Sequence, residues 1–222
     1  MRVKAVIFDL DDTLIRSGID YRVAKVSAIK FLVESGVDET LLNENMSNME
    51  IINRAIEDLR KKNFSEIRIK EIINNVYAMF NKAELKSLDK AELMDTSLKT
   101  LTELKSLGLK IGIVTNSCST YSKKIVEKFS LDKYIDILVS RDDVTRHKPD
   151  PEHLLKALEA LGVDSSEAVF VGDHFVDALC AKRAGVKFIL VKNKKWSSQE
   201  AEKNAFTIID DLGVLSSLIR QL

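Results

Sequence analysis

Short apolar runs alternate along the chain with segments whose apolar residues recur at helical spacing. Each run has the length of a buried strand, and continuous apolar runs are typical of strands covered on both faces. The predicted strands are Val3–Phe8, Lys110–Thr115, Ile135–Val139, Ala168–Val171, Lys187–Val191 and Phe206–Ile209. The predicted helices between them are Thr96–Leu107, Tyr121–Phe129, Pro151–Leu161, one ending near Gly185 and a closing helix. This alternation predicts an α/β fold with a Rossmann-like parallel sheet.

Residues 18–92 have a different pattern. They contain no convincing strand and neither of the two prolines, and their apolar positions recur at helical spacing. Gly36-Val37-Asp38 and Asn63-Phe64-Ser65 are predicted breaks, with Asp38 and Ser65 as helix N-caps. We therefore expect an inserted all-helical domain over 18–92, with 1–17 and 93–222 forming the α/β core.

Composition narrows the function classes. The 222 residues carry 34 basic and 34 acidic side chains, so the net charge is zero, which argues against nucleic acid or an anionic membrane as a partner. No apolar run reaches the length of a membrane helix, and the first residues lead into a strand without a signal-peptide pattern. Cys118 and Cys180 lack metal-ligand spacing. A cytoplasmic location fits best.

Polar side chains lie at or just beyond the ends of three of the predicted strands. Asp9 and Asp11 follow the first, Thr115 is the last residue of the second, and Asp173 and Asp177 follow a third. Ligands of open parallel sheets bind beyond the carboxyl ends of the strands. We therefore expect these side chains to form one site.

The residue types in this set favour phosphoryl transfer. One of the Asp9 and Asp11 carboxylates can act as a nucleophile while the other serves as general acid and base. Asp173 and Asp177 can join Asp9 in binding Mg²⁺, and the Thr115 hydroxyl and exposed backbone amide suit a phosphoryl oxygen. An anionic substrate beside these carboxylates requires both the metal and the charge of Lys148.

In these motifs the chain resembles the haloacid dehalogenase superfamily, in the phosphoglycolate phosphatase-like and β-phosphoglucomutase-like subgroup with a helical cap. The matching segments are Asp9-Leu10-Asp11-Asp12-Thr13, Val114-Thr115-Asn116, Lys148-Pro149-Asp150-Pro151 and Gly172-Asp173 through Asp177. The resemblance implies a Mg²⁺-dependent phosphatase that forms an aspartyl phosphate on Asp9, with Asp11 as acid and base.

The same resemblance implies the remaining roles. Thr115, Asn116 and Lys148 would bind the substrate phosphate. Mg²⁺ would be held by the Asp9 carboxylate, the Asp11 backbone carbonyl and Asp173, with Asp177 either a ligand or beside one. The expected partner is a small phosphorylated metabolite.

Two positions depart from the family pattern. Asp12 stands where many members have glycine, and His174 stands where serine or asparagine is common. Neither removes a catalytic group, so we expect activity, and we expect His174 to line the site because Mg²⁺ prefers oxygen ligands. Asp11 distinguishes the chain from the dehalogenase branch, which lacks that acid.

Several alternatives stay open at this stage. The substrate could be phosphoglycolate or pyrophosphate, or the chain could be a phosphomutase. A receiver-like signalling module also uses clustered aspartates, but it lacks the helical insert. Asp173 and Asp177 could also be a helix N-cap and a first-turn acid. The sequence does not indicate whether the protein is a monomer or a homodimer.

Overall fold

The computed structural model describes residues 3–192 and 199–222. Contacts divide the chain into two compact units. One contains the described residues up to Ser17 together with those from Lys90 onward, and the other is Gly18–Asp89. Within the described ranges, no helix has the combination of length and apolarity needed to cross a membrane.

The first unit is built on a parallel sheet of six strands. In chain order these are Ala5–Phe8 (β1), Lys110–Val114 (β4), Ile137–Val139 (β5), Ala168–Gly172 (β6), Lys187–Val191 (β7) and Thr207–Ile209 (β8). The spatial order is β5-β4-β1-β6-β7-β8. The predicted parallel sheet is confirmed, and the strand bounds differ from the sequence prediction by at most two residues.

Strand β1 lies in the middle of the sheet, with β4 on one side and β6 on the other. All four of its residues are fully buried, which explains the unbroken apolar run of its sequence. The strand order reverses at β1, the position where such sheets bind ligands. The polar groups that follow β1, β4 and β6 therefore lie at one edge.

Helices surround the sheet. They are Ser97–Ser106 (α4), Ser119–Lys128 (α5), Glu152–Leu161 (α6), Phe175–Ala184 (α7), Gln199–Asn204 (α8) and Leu215–Ile219 (α9). Leu154, Leu158 and Ala181 of α6 and α7 pack in one core cluster with Phe170 of β6. The short helix α8 was not predicted, since six residues form fewer than two helical turns and leave little periodicity.

The second unit is all helical, as expected. Its helices are Arg22–Glu34 (α1), Asn48–Lys61 (α2) and Glu66–Lys86 (α3). Ser65 accepts a hydrogen bond from the backbone N–H of Arg68 and caps α3, and Asp38 caps a short 3₁₀ turn. The core of this unit is formed by fully buried apolar residues, among them Ala28, Leu32, Ile51, Ala55, Leu59, Val76 and Phe80.

One element at the boundary was not predicted. Ile15–Arg16 (β2) pairs antiparallel with Glu92–Leu93 (β3), beside the two places where the chain leaves and re-enters the first unit. Leu14 supports this pair, because its carbonyl accepts hydrogen bonds from the Met94 N–H and the Ser97 hydroxyl. Strands of two residues are too short to produce a recognisable apolar pattern.

Candidate active site

Three carboxylates, from the ends of β1 and β6 and the first turn of α7, converge at the edge of the sheet. Oxygen atoms of Asp9, Asp173 and Asp177 all lie within 4.8 Å of one another. Lys148 joins them: its ammonium Nζ is 2.6 Å from Asp9 Oδ1 and 2.7 Å from Asp177 Oδ1. All four residues are buried, with no more than 6% of any of them exposed. The structure thus brings together four of the predicted site residues.

Burial and charge shift the pKa values of this cluster. Burial raises the pKa of Asp9 well above its usual value; the Lys148 ammonium opposes the shift, and the Asp177, Asp173 and Asp11 carboxylates add to it. For Lys148, burial alone would lower the pKa of the ammonium. The carboxylates of Asp177 and Asp9 outweigh that effect and raise it. The carboxylates therefore favour the charged form of Lys148, and its ammonium in turn favours the ionised form of Asp9.

The cluster fits a divalent cation. Three buried carboxylates face a single ammonium, so the ionised set keeps an excess negative charge that is costly in a buried place. Carboxylate oxygens are the ligands that Mg²⁺ prefers. Among the described residues of this cluster, Asp9, Asp173 and Asp177 are the side chains that could hold such an ion.

The first turn of α7 fixes the orientation of Asp177. His174 is the N-cap residue, and its Nδ1 accepts a hydrogen bond from the Val176 N–H. Oδ2 of Asp177 accepts from the His174 backbone N–H at 3.2 Å, so Asp177 both caps the helix and contacts Lys148. The alternative in which Asp173 is the N-cap is wrong, because His174 takes that place.

The carboxylate of Asp11 points to a different set of partners. Its Oδ2 accepts hydrogen bonds from the hydroxyls of Ser117 at 2.6 Å and Thr115 at 3.3 Å. Its Oδ1 accepts from the Tyr121 hydroxyl at 3.0 Å. The side chain of Asp11 thus has hydroxyl partners of its own, and the different roles predicted for Asp9 and Asp11 stay a prediction.

Thr115 lies at the end of β4, but only part of the prediction for it is confirmed. The expected exposed backbone amide is wrong: the Thr115 N–H donates to the Val139 carbonyl at 3.0 Å, because β4 and β5 continue their pairing by one residue. The hydroxyl Oγ1 accepts from the Ser117 N–H and donates to Asp11. This hydroxyl is the group of Thr115 that could bind a phosphoryl oxygen.

Asn116 supports the segment that carries Lys148. Its Nδ2 donates to the Lys148 carbonyl at 3.0 Å, and its Oδ1 accepts from the Lys148 N–H at 3.1 Å. Two hydrogen bonds from one amide hold the Lys148 backbone in register with the end of β4. The structure therefore places the Asn116 side chain against Lys148, and its predicted role in phosphate binding stays a prediction.

Three polar residues of the site were not predicted from the sequence. The Thr13 hydroxyl donates to Asp173 Oδ1 at 3.4 Å, and Ser117 and Tyr121 contact Asp11. Thr13 was visible as part of the first motif, whereas Ser117 and Tyr121 look like ordinary residues at a helix start. The signal that could have revealed them is position, since both follow a strand end that carries Thr115.

Comparisons with known proteins give matches over most of the chain. The sequence profile of the haloacid dehalogenase-like hydrolases matches residues 6–191. A Clostridium perfringens (strain 13) protein named putative pyrophosphatase PpaX is 37% identical over 192 residues, covering 86% of this chain and 84% of its own length. The pyrophosphatase PpaX of Bacillus cereus (strain AH820) is 32% identical, covering 84% of this chain and 82% of its own.

A solved structure shows the same fold. The predicted phosphoglycolate phosphatase of Haemophilus somnus 129PT superposes with a TM-score of 0.69 at 22% identity, covering 98% of each chain. The similarity extends over the sheet and the helical insert alike, because nearly the whole chain is covered.

Proposed function

The chain belongs to the haloacid dehalogenase-like hydrolases and is a phosphatase of that family, and we propose that it uses Mg²⁺ to hydrolyse a small phosphorylated compound through an aspartyl phosphate on Asp9. The observation that carries the proposal is the position of Asp9. Its carboxylate lies at the end of the central strand, in contact with Lys148 and close to Asp173 and Asp177. Mg²⁺ held by these carboxylates would offset the negative charge of the transferring phosphoryl group.

In the first step, a carboxylate oxygen of Asp9 attacks phosphorus and the bond from phosphorus to the leaving oxygen breaks. Asp11 donates a proton to that oxygen as it departs. In the second step, Asp11 takes a proton from water, whose oxygen attacks the phosphorus and releases inorganic phosphate and the Asp9 carboxylate. The Lys148 ammonium favours the ionised form of Asp9, and the Thr115 hydroxyl donates to a phosphoryl oxygen.

The relatives suggest which substrate to test first. Two curated relatives above 30% identity are named as pyrophosphatases, and their match spans more than four fifths of each chain. We therefore propose pyrophosphate as the leading candidate, with phosphoglycolate second. A compound with a second hydroxyl that accepts the phosphoryl group would instead indicate a phosphomutase.

The experiment is a substrate panel with purified protein. Pyrophosphate, phosphoglycolate, glucose 1-phosphate and p-nitrophenyl phosphate are each incubated with the protein and Mg²⁺, and released phosphate is measured. The same panel is run in EDTA, with Asp9→Asn, and with Asp132→Asn, a matched control that removes an exposed carboxylate of the same unit.

We expect phosphate release with Mg²⁺, none in EDTA or with Asp9→Asn, and wild-type rates with Asp132→Asn. Turnover that persists in EDTA would contradict the metal requirement, and turnover that persists in Asp9→Asn would contradict the nucleophile. Slow autodephosphorylation without turnover of any added compound would favour the receiver-like module instead.

A further inference from the structure

We propose that Ser117 and Tyr121 are positioning residues for Asp11, holding its carboxylate in place for proton transfer. The inference rests on the proposed function, since Asp11 needs a fixed position only if it serves as acid and base. Its basis is a hydrogen-bond arrangement at the start of α5 that the motifs of the chain do not include.

The two residues contact opposite oxygens of one carboxylate. The Ser117 hydroxyl donates to Oδ2 of Asp11 at 2.6 Å, and the Tyr121 hydroxyl donates to Oδ1 at 3.0 Å. One hydrogen bond would leave the carboxylate free to rotate about the bond that joins it to Cβ. Two hydrogen bonds on different oxygens fix its plane as well as its position.

Both donors are themselves held rigidly. Tyr121 is fully buried and is the largest side chain of the described residues to be so, and Ser117 is buried. Both backbone polar groups of Ser117 are hydrogen-bonded: its N–H donates to Thr115 Oγ1, and its carbonyl accepts from the Arg141 N–H. Groups that position an acid or base work only when their own conformations are fixed by packing and hydrogen bonds.

The third donor to Asp11 serves another purpose. The Thr115 hydroxyl makes the longest of the three contacts, at 3.3 Å, and it is the group that we propose to bind the substrate phosphate. A hydroxyl has one hydrogen to donate, so binding of a phosphoryl oxygen would remove this contact from Asp11. Ser117 and Tyr121 then remain as the hydroxyls that hold the carboxylate while the chemistry proceeds.

The test measures how turnover depends on the leaving group. Wild type, Tyr121→Phe, Ser117→Ala and Asp11→Asn are assayed with Mg²⁺ on phenyl phosphate, a poor leaving group, and on p-nitrophenyl phosphate, a good one. The matched controls are Tyr134→Phe, which removes a phenol elsewhere in the same unit, and Ser122→Ala, which removes a buried hydroxyl from α5 that donates to the Cys118 carbonyl. Thermal unfolding shows whether each variant is folded.

Loss of either positioning hydroxyl should lower kcat/KM on phenyl phosphate on the order of 10- to 100-fold, with a smaller loss on p-nitrophenyl phosphate, because kcat/KM covers only the steps up to release of the leaving group, in which Asp11 is the acid. In the Asp11→Asn background, Tyr121→Phe should cause no further loss on p-nitrophenyl phosphate, because the hydroxyl acts through Asp11. Both control variants should behave as wild type.

Two results would overturn the inference. One is an unchanged kcat/KM on phenyl phosphate in folded Tyr121→Phe and Ser117→Ala. The other is an equal loss on both substrates that recurs in the Asp11→Asn background, which would show that the hydroxyls only support the fold. Wild-type protein that turns over neither compound, nor any in the substrate panel, would remove the proposed function and this inference with it.

Discussion

The ammonium of Lys148 lies 2.7 Å from Oδ1 of Asp177, in a place where both side chains are buried. The same ammonium contacts Asp9 at 2.6 Å, so one cation joins the carboxyl end of β1 to the first turn of α7. Removing one partner of a buried ion pair is far more damaging than breaking an exposed pair, because the remaining charge is left uncompensated.

Lys148→Met should therefore destabilise the protein. The buried carboxylates of Asp9 and Asp177 would lose the ammonium that contacts them, and we expect the free energy of unfolding to fall by about 3–5 kcal/mol in the absence of divalent cations. Thermal unfolding of the variant with and without Mg²⁺ measures this. Added Mg²⁺ should recover part of the loss, since it replaces the missing positive charge. The control is Lys133→Met, which removes an exposed lysine; equal Tm values for the two variants would contradict the account.

Alanine substitutions at two strand glycines, Gly172 and Gly112, should have different effects, one on the active site and one on the core. A Cβ built on Gly172 would lie 2.8 Å from the carboxylate of Asp177, whereas one built on Gly112 would lie 2.8 Å from the flexible end of Ile7. Gly172→Ala should displace Asp177. We expect kcat to fall, and the Mg²⁺ concentration needed for half-maximal activity to rise, each on the order of tenfold or more. Gly112→Ala should lower stability and leave kcat near wild type. Activity at varied Mg²⁺ checks both, and equal kinetics in the two variants would refute the distinction.

The backbone conformation of Asp12 suits an aspartate. Its φ is +59°, in the left-handed region, and its Oδ1 accepts a hydrogen bond from the Ser17 N–H at 3.3 Å. Aspartate and asparagine tolerate this region better than other residues with a Cβ. Asp12→Asn should keep stability within about 0.5 kcal/mol, whereas Asp12→Val should cost about 1–3 kcal/mol. Denaturant unfolding measures the free energy of unfolding of both variants. An Asp12→Val variant as stable as Asp12→Asn would contradict this prediction.

His153 predicts how stability depends on pH. Burial, with smaller contributions from Lys148 and His147, lowers the pKa of this imidazole from 6.5 to about 3. The folded state therefore favours neutral His153, and this contribution to stability is complete above pH 6.5. It falls by about 1.4 kcal/mol for each pH unit below that value, until the pH approaches the folded-state pKa.

The variant His153→Leu isolates that contribution. Its free energy of unfolding should fall less steeply than that of wild type between pH 6 and 4, at about 1.4 kcal/mol less per unit. Urea unfolding at a series of pH values measures both slopes. Parallel slopes for wild type and variant would show that His153 does not titrate on unfolding in this range.

The sequence allowed the sheet and the acidic cluster to be predicted because both leave local marks. A buried strand is an unbroken apolar run, and parallel strands bring their carboxyl ends to one edge, so Asp9, Thr115 and Asp173 could be placed together without coordinates. The all-helical insert followed in the same way from its spacing.

What could not be predicted depends on contacts between distant residues. The side-chain amide of Asn116 donates a hydrogen bond to the Lys148 carbonyl, 32 positions away, and the hydroxyl of Tyr121 donates to Asp11, 110 positions away. Neither pairing has a periodicity or spacing that marks it. The hydrogen bond from the Thr115 N–H to the Val139 carbonyl also depends on a distant contact, because it continues the pairing of β4 with β5.

The most direct test of the central claim is to trap the phosphorylated protein. Protein and substrate are mixed with Mg²⁺, quenched in acid within the first turnovers and digested, and the phosphopeptide is identified by mass spectrometry. Asp11→Asn should increase the trapped fraction, because hydrolysis of the aspartyl phosphate needs the Asp11 base. The account predicts a phosphoryl group on Asp9, absent from Asp9→Asn. A phosphoryl group on another residue, or turnover without any trapped phosphoprotein in Asp11→Asn, would contradict it.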